Sequence, residues 1–135
     1  MEAIWTSEYG NEMNVRFAYV QDNVAVYADT IDVKVCNNRG LATGLIAKTF
    51  IKNHKNRSIG KASLSQKTVE ANASKKLKLH GTRLALLPQE GAEVLTYEIR
   101  GDYGDRSYVV FVDANSGKMV EIYNVSTTDR GRVLI

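Results

Sequence analysis

Period-two alternation of apolar and polar residues, broken at short intervals by Asn/Gly turns, runs through most of this chain. It constrains the fold more than any other feature, because side chains on a strand point alternately to the two faces of a sheet. The strand-like segments are Val15 to Val20, Val24 to Tyr27, Ile31 to Val35 and Gly44 to Phe50. After a break, Arg83 to Leu87, Val94 to Arg100, Tyr108 to Val112 and Lys118 to Asn124 follow. The segments around Asn37-Asn38-Arg39-Gly40 and Ala114-Asn115-Ser116-Gly117 read as hairpin turns, since Asn and Gly supply the positive φ that such turns need. With an offset of 77 positions, Val33, Val35, Gly40 and Leu45 fall on Val110, Val112, Gly117 and Ile122, which suggests two copies of one unit.

Helical spacing is convincing at one place. Ser65 is a candidate N-cap, Leu64 and Val69 stand where a hydrophobic staple would join them, and Val69, Ala73 and Leu77 recur at four-residue intervals. Gly81 supplies a stop, and Lys75, Lys76 and Lys78 fall in the expected last turn, where the helix dipole favours cations. The spacing predicts a helix over about residues 65–78, lying on one face of a sheet. The expected class is therefore α+β, with antiparallel β-sheets and one main helix. The polar, basic, glycine-containing stretch from Asn53 to Ala62 divides the chain into residues 1–58, the strands of a first unit, and 59–135, a complete second unit. The first unit has no helix to match that of the second, as if the chain began inside a longer protein.

Function classes narrow by exclusion. One cysteine, Cys36, excludes an internal disulfide, and with only His54 and His80 beside it the ligands for a structural zinc are lacking, so no metal or cofactor is expected. Neither a membrane-spanning run nor a signal-like Met1 to Trp5 segment stands out, and a soluble chain is expected. Glu98 and Glu121 could form a carboxylate pair, and His54 or His80 could serve as a base, but no motif supports either arrangement. The loop Gly40 to Gly44 lacks the Lys-Ser/Thr of a phosphate-binding loop and leads into a strand. No catalytic residue is expected.

Charge is unevenly spread. The net charge is only +3, yet Lys48 to Arg83 holds ten basic residues against the single acid Glu70. No aromatic residue lies between Ile51 and Thr96, which removes the stacking platforms of single-strand nucleic-acid binders, so nucleic acid is not the expected partner. A candidate partner-binding basic surface consists of Lys52, Lys55, Arg57, Lys75, Lys76 and Lys78, suited to an acidic protein or an anionic cell-wall polymer.

Longer stretches carry a likeness. The runs Val26 to Gly40 (VYADTIDVKVCNNRG), Phe50 to Arg57 (FIKNHKNR), Arg83 to Pro88 (RLALLP), Glu93 to Glu98 (EVLTYE) and Tyr108 to Gly117 (YVVFVDANSG) together resemble, in order and spacing, the C-terminal region of the YpeB family of germination proteins. Tyr108 to Tyr123 alone resembles the commoner PepSY signature, which also occurs in propeptides of secreted metalloproteases. The chain departs from the family in the linker from Ser58 to Ser65, where prolines are expected, and at Cys36 to Arg39, where an acidic turn is expected. The resemblance implies PepSY-like units and no enzymatic activity. It also implies a membrane-anchored, extracytoplasmic protein at the spore inner membrane or cortex, which stabilises, localises or inhibits a cortex-lytic enzyme of the SleB type. The PepSY signature alone implies the alternative, an inhibitor or folding chaperone of a metalloprotease. Bare sheet edges in the first unit would further allow a homodimer.

Overall fold

A computed structural model of the chain describes residues 1–128 and 131–134; positions 129, 130 and 135, which belong to the expected second unit, lie outside the described residues. The strands are β1 (Glu2–Tyr9), β2 (Glu12–Gln21), β3 (Val24–Cys36), β4 (Leu41–Ile46), β5 (Lys78–Gln89), β6 (Ala92–Tyr103), β7 (Arg106–Asp113), β8 (Met119–Thr128) and β9 (Gly131–Leu134). Two short helices, α1 (Lys48–Asn53) and α2 (Gln66–Ala73), lie between β4 and β5. The sheet dominates.

All strands join one sheet in the order β1-β2-β3-β5-β6-β7-β8-β9, with β4 paired to β3 beside this path. Neighbours are antiparallel except β3 and β5, whose parallel seam pairs Ala25 with Ala85 and Val26 with Leu86. A parallel pair needs a crossover connection. Here β4, α1, the linker and α2 make it. Tight turns set the register of the meanders: Asp22 (φ 50°) and Asn23 (φ 63°) join β2 to β3, and Glu90 (φ 45°) and Gly91 (φ 81°) join β5 to β6. Two successive positive φ values match the right-handed twist of the flanking strands.

The sheet rolls strongly, so that β1 comes back against β9. Inside the roll, Ile4, Ala18 and Ala25 from the first half of the chain pack with Ala85, Leu87, Val109 and Phe111 from the second. On the opposite face Val24, Val26, Leu86, Leu95, Tyr97 and Ile99 are covered by Val69 of α2, with Ile59, Ala62 and Leu64 of the linker alongside. Strand β6 is buried on both faces, with Leu95, Tyr97 and Ile99 on one and Thr96 and Glu98 on the other.

Several expectations need correction. The main helix does begin after Ser65, whose Oγ accepts from the Thr68 backbone amide at 3.2 Å, but it ends at Ala73 instead of near residue 78. The Ala73 carbonyl accepts from both Lys76 N and Leu77 N, tightening the chain, and Lys78 already pairs with Asp102 in β5. Leu77, the apolar residue whose spacing suggested a longer helix, instead packs where strand β6 is glycine: a Cβ on Gly101 would lie 3.0 Å from that of Leu77. Lys75, Lys76 and Lys78 therefore lie beyond the helix, and the dipole does not account for them. The expected strand from Gly44 to Phe50 stops at Ile46 and gives way to α1, where Phe50 stacks on His54 with ring centroids 4.4 Å apart. Val24 to Tyr27 and Ile31 to Val35 are one strand, interrupted where β2 pairs Tyr19 with Val26 but Ala18 with Thr30. Strand β1 was not foreseen.

Candidate partner-binding surface

The irregularity in β3 places three residues, Tyr27 to Asp29, without cross-strand partners on β2. On a regular strand Tyr27 and Asp29 would share a face. A bulge re-aims side chains, and here the two serve different polar clusters on opposite faces of the sheet.

Asp29 is fully buried and takes Arg57 in a two-pronged contact, with Nη1 donating to Oδ2 at 2.9 Å and Nη2 to Oδ1 at 2.8 Å. Arg57 Nε donates to the Glu93 carboxylate at 2.9 Å, and its remaining donors reach the carbonyls of Lys55 and Asn53. All five guanidinium N–H groups thus have acceptors. The backbone of Arg57 is held as well, by both ends of the Gln21 amide. His54 Nδ1 lies 2.7 Å from Asp29 Oδ2, and Asn53 Nδ2 donates to the Ala28 carbonyl at 3.1 Å, so α1 and the linker are fastened to the bulge of β3.

Inside the roll, Glu98 is the second buried carboxylate. Its Oε2 accepts from Tyr27 Oη at 2.5 Å and from Arg83 Nε at 2.7 Å, and its Oε1 accepts from Arg100 Nε at 2.9 Å. Arg100 Nη2 also donates to the Ile4 carbonyl, which ties β1 across the roll. Burial, reinforced by the Glu98 charge, pushes the Tyr27 hydroxyl well above the usual tyrosine range. The cluster therefore consists of one carboxylate, two cations and a neutral phenol. Both Glu98 oxygens are engaged, and Glu98 and Arg100 also border two small cavities of about 290 and 310 Å³.

The residues of the basic surface expected from sequence have different surroundings. Arg57 is withdrawn from it, since its side chain is only 6% exposed and fully engaged by Asp29 and Glu93. Lys52 and Lys55 are exposed around α1, which packs on β3. Lys75, Lys76 and Lys78 are exposed beyond α2, which packs on β5 and β6. Glu98 and Glu121 share a face but sit on strands separated by β7, each in register with Phe111 between them. His54 and His80 sit apart on separate aspartates, His80 Nε2 lying 2.6 Å from Asp102 Oδ2. That contact, with one from Ser107, holds the Asp102 carboxyl below its usual range. Among the described residues no group of three His, Cys, Asp or Glu side chains is placed to hold a metal ion.

What the sequence reading missed is apolar. A groove of about 990 Å³ runs beside α2 over the outer face of β7 and β8, floored by Tyr108, Val110, Val112, Met119 and Ile122, with Lys75 and Lys76 on its rim. The visible signal was that Tyr108 to Val112 is apolar at consecutive positions, which marks a strand with two faces to cover.

Residues 1–60 match the family described as YpeB sporulation, PepSY1 and PepSY2 domains, and residues 63–132 match the family described as peptidase propeptide and YPEB domain. The sporulation protein YpeB of Oceanobacillus iheyensis is 30% identical over 119 residues, covering 87% of this chain and 27% of that protein. YpeB of Bacillus subtilis is 28% identical over 116 residues, covering 84% of this chain and 26% of that protein. The chain thus spans about a quarter of the length of these relatives. The solved Bacillus megaterium YpeB C-terminal domain superposes with a TM-score of 0.84 at 24% identity, over 93% of this chain and 56% of that one, and shares its fold. With both halves matched in order and the rolled sheet in common, the chain belongs to the YpeB family of sporulation proteins and corresponds to its C-terminal PepSY region.

Proposed function

We propose that this region acts without catalysis, as a protein-binding module that holds and restrains a cortex-lytic enzyme of the SleB type until germination, outside the cytoplasm at the spore inner membrane or cortex. The observation that carries this reading is the division of labour among side chains. The buried carboxylates, Asp29 and Glu98, are saturated by arginines that staple strands together, whereas the second half of the sheet leaves an apolar face open. Glu98 borders two small cavities, but its oxygens are already held by Tyr27, Arg83 and Arg100, whereas a catalytic carboxylate needs a free oxygen to give or take a proton. Large exposed apolar patches are more typical of binding surfaces.

Capture of a purified SleB-type enzyme on the immobilised chain tests this. Retention of the lytic enzyme, with no turnover of peptidoglycan by the chain itself, is the expected result. Failure to retain it at micromolar concentrations overturns the proposal. The match of residues 63–132 to a family described partly as peptidase propeptide favours a second reading, an inhibitor or folding chaperone of a secreted metalloprotease. Retention of such a protease in place of the lytic enzyme would select it.

A further inference from the structure

Strand β7 is apolar on both faces. Val109 and Phe111 fill the inside of the roll, while Tyr108, Val110 and Val112 face outward beside Met119 and Ile122 of β8. An antiparallel sheet with one wet face ordinarily places polar side chains there. Helix α2 covers β5 and β6, but its eight residues span only about 12 Å, so it does not reach across β7 and β8. Met119 is left 61% exposed and Ile122 47% exposed.

The backbone dictates what kind of segment can lie there. Strand β7 is hydrogen-bonded to β6 on one side and to β8 on the other, and β8 is bonded in turn to β9. Among the described residues β9 pairs only with Val125 to Thr128, so a partner strand could extend the sheet at the rest of the β8 edge. One laid flat on the outer face of β7, which is paired on both sides, would leave its own amides and carbonyls without partners. A helix satisfies its backbone internally, and a second helix beside α2 would complete the layer over the sheet. Charge narrows the occupant further. Lys75 and Lys76 stand exposed on the rim with no carboxylate partner among the described residues, and no acidic side chain lines the groove.

We infer that this groove receives an amphipathic helix of a partner protein, whose apolar stripe packs on β7 and β8 and whose acidic side chains lie beside Lys75 and Lys76. This rests on the reading of the region as a protein-binding module, and it names the surface and the chemistry of the bound segment.

Two synthetic helical peptides of roughly 18 residues, long enough for marginal helicity in water, would carry the same leucine stripe flanked by glutamates in one and lysines in the other. Amide NMR of the whole 135-residue chain should show the glutamate peptide shifting Val110, Met119 and Ile122, with the lysine peptide binding about tenfold more weakly. The double variant K75E/K76E, altered only at exposed positions, should reverse that preference. Equal affinity for the two peptides, binding of neither, or shifts confined to other surfaces would overturn the inference. So would concentration-dependent broadening of Met119 and Ile122 without peptide, which would assign the face to a second copy of the chain. Enzyme capture separates this from the broader reading. Equal retention of the lytic enzyme by wild type and K75E/K76E would sink the groove alone, whereas the expected peptide behaviour with no enzyme retained would uphold the groove and sink the choice of partner.

Discussion

Arg57 illustrates how a residue that looks like surface in sequence becomes interior in the fold. Its neighbours Lys55 and Lys52 suggested a basic patch, yet its guanidinium is the counter-ion of Asp29, which has no access to water. Breaking a buried pair by removing one partner typically costs about 3–5 kcal/mol, and here it would leave the Asp29 carboxylate with only His54 beside it. Arg57→Ala is therefore expected to lower the melting temperature by about 10 °C or more, where Lys52→Ala changes it little. Thermal melts followed by circular dichroism read the difference, and near-equal melting temperatures would show that Arg57 is not a clamp. Tyr27 gives a second test. Its folded pKa is raised, so the stability it contributes is complete below the ordinary tyrosine pKa of about 10 and is lost as the pH climbs above it. Absorbance titration near 295 nm should find tyrosinate forming at Tyr27 only together with alkaline unfolding. The variant Tyr27→Phe should remove that coupled component, and its persistence in the variant would show that another tyrosine is responsible.

Helix α2 shows how far local signals extend. The cap at Ser65 and the inward Val69 were legible because both depend on neighbours within one turn. Its end was not, because the chain leaves the helix for a contact far away in sequence, the pairing of Lys78 with Asp102. The same limit explains β3. Alternation identified its two arms but could not show that Tyr27 to Asp29 would bulge to serve Glu98 on one face and Arg57 on the other. Helix α1 was hidden for a related reason: its six residues bury no side chain fully, and stacking of Phe50 on His54 and the Asn53 bond to Ala28 hold it in place. The groove was half-legible, since the apolar run in β7 was visible but the length of α2, which decides how much of it stays bare, was not. Ser65→Ala removes an N-cap hydrogen bond and is expected to cost about 1 kcal/mol. Val69→Ala, at the only fully buried position of the helix, should cost about 2 kcal/mol. Denaturant titration of both variants would measure these, and a Val69 effect smaller than that of Ser65 would show that α2 rests only loosely on the sheet.

At the scale of the molecule the question is whether the two family-matched halves fold as two bodies or one. Among the described residues, strand pairing joins them only at the short parallel seam of Ala25 with Ala85 and Val26 with Leu86, which by itself would be a weak link. Side chains argue the other way. Both clusters draw from both halves: Val24 and Val26 pack with Leu86 and Tyr97 on one face, and Ile4 and Ala18 pack with Val109 and Phe111 on the other. Each buried carboxylate also crosses the divide, since Arg57 bridges Asp29 to Glu93, and Glu98 gathers Tyr27, Arg83 and Arg100. Neither half can separate without exposing apolar surface and stripping charges of their partners, so one cooperative transition is expected, as for most single domains of this size. Trp5, the only tryptophan, packs against the cluster inside the roll and reports on β1. Guanidinium unfolding followed by Trp5 fluorescence should coincide with that followed by far-ultraviolet circular dichroism, which reports on the whole sheet. Arg100→Ala, which removes both the cross-roll bond to Ile4 and one partner of Glu98, should shift the two curves together. If the fluorescence change came clearly earlier, β1 and β2 would be an annex to a separately stable second half, and the roll would be held by packing too weak to unite them.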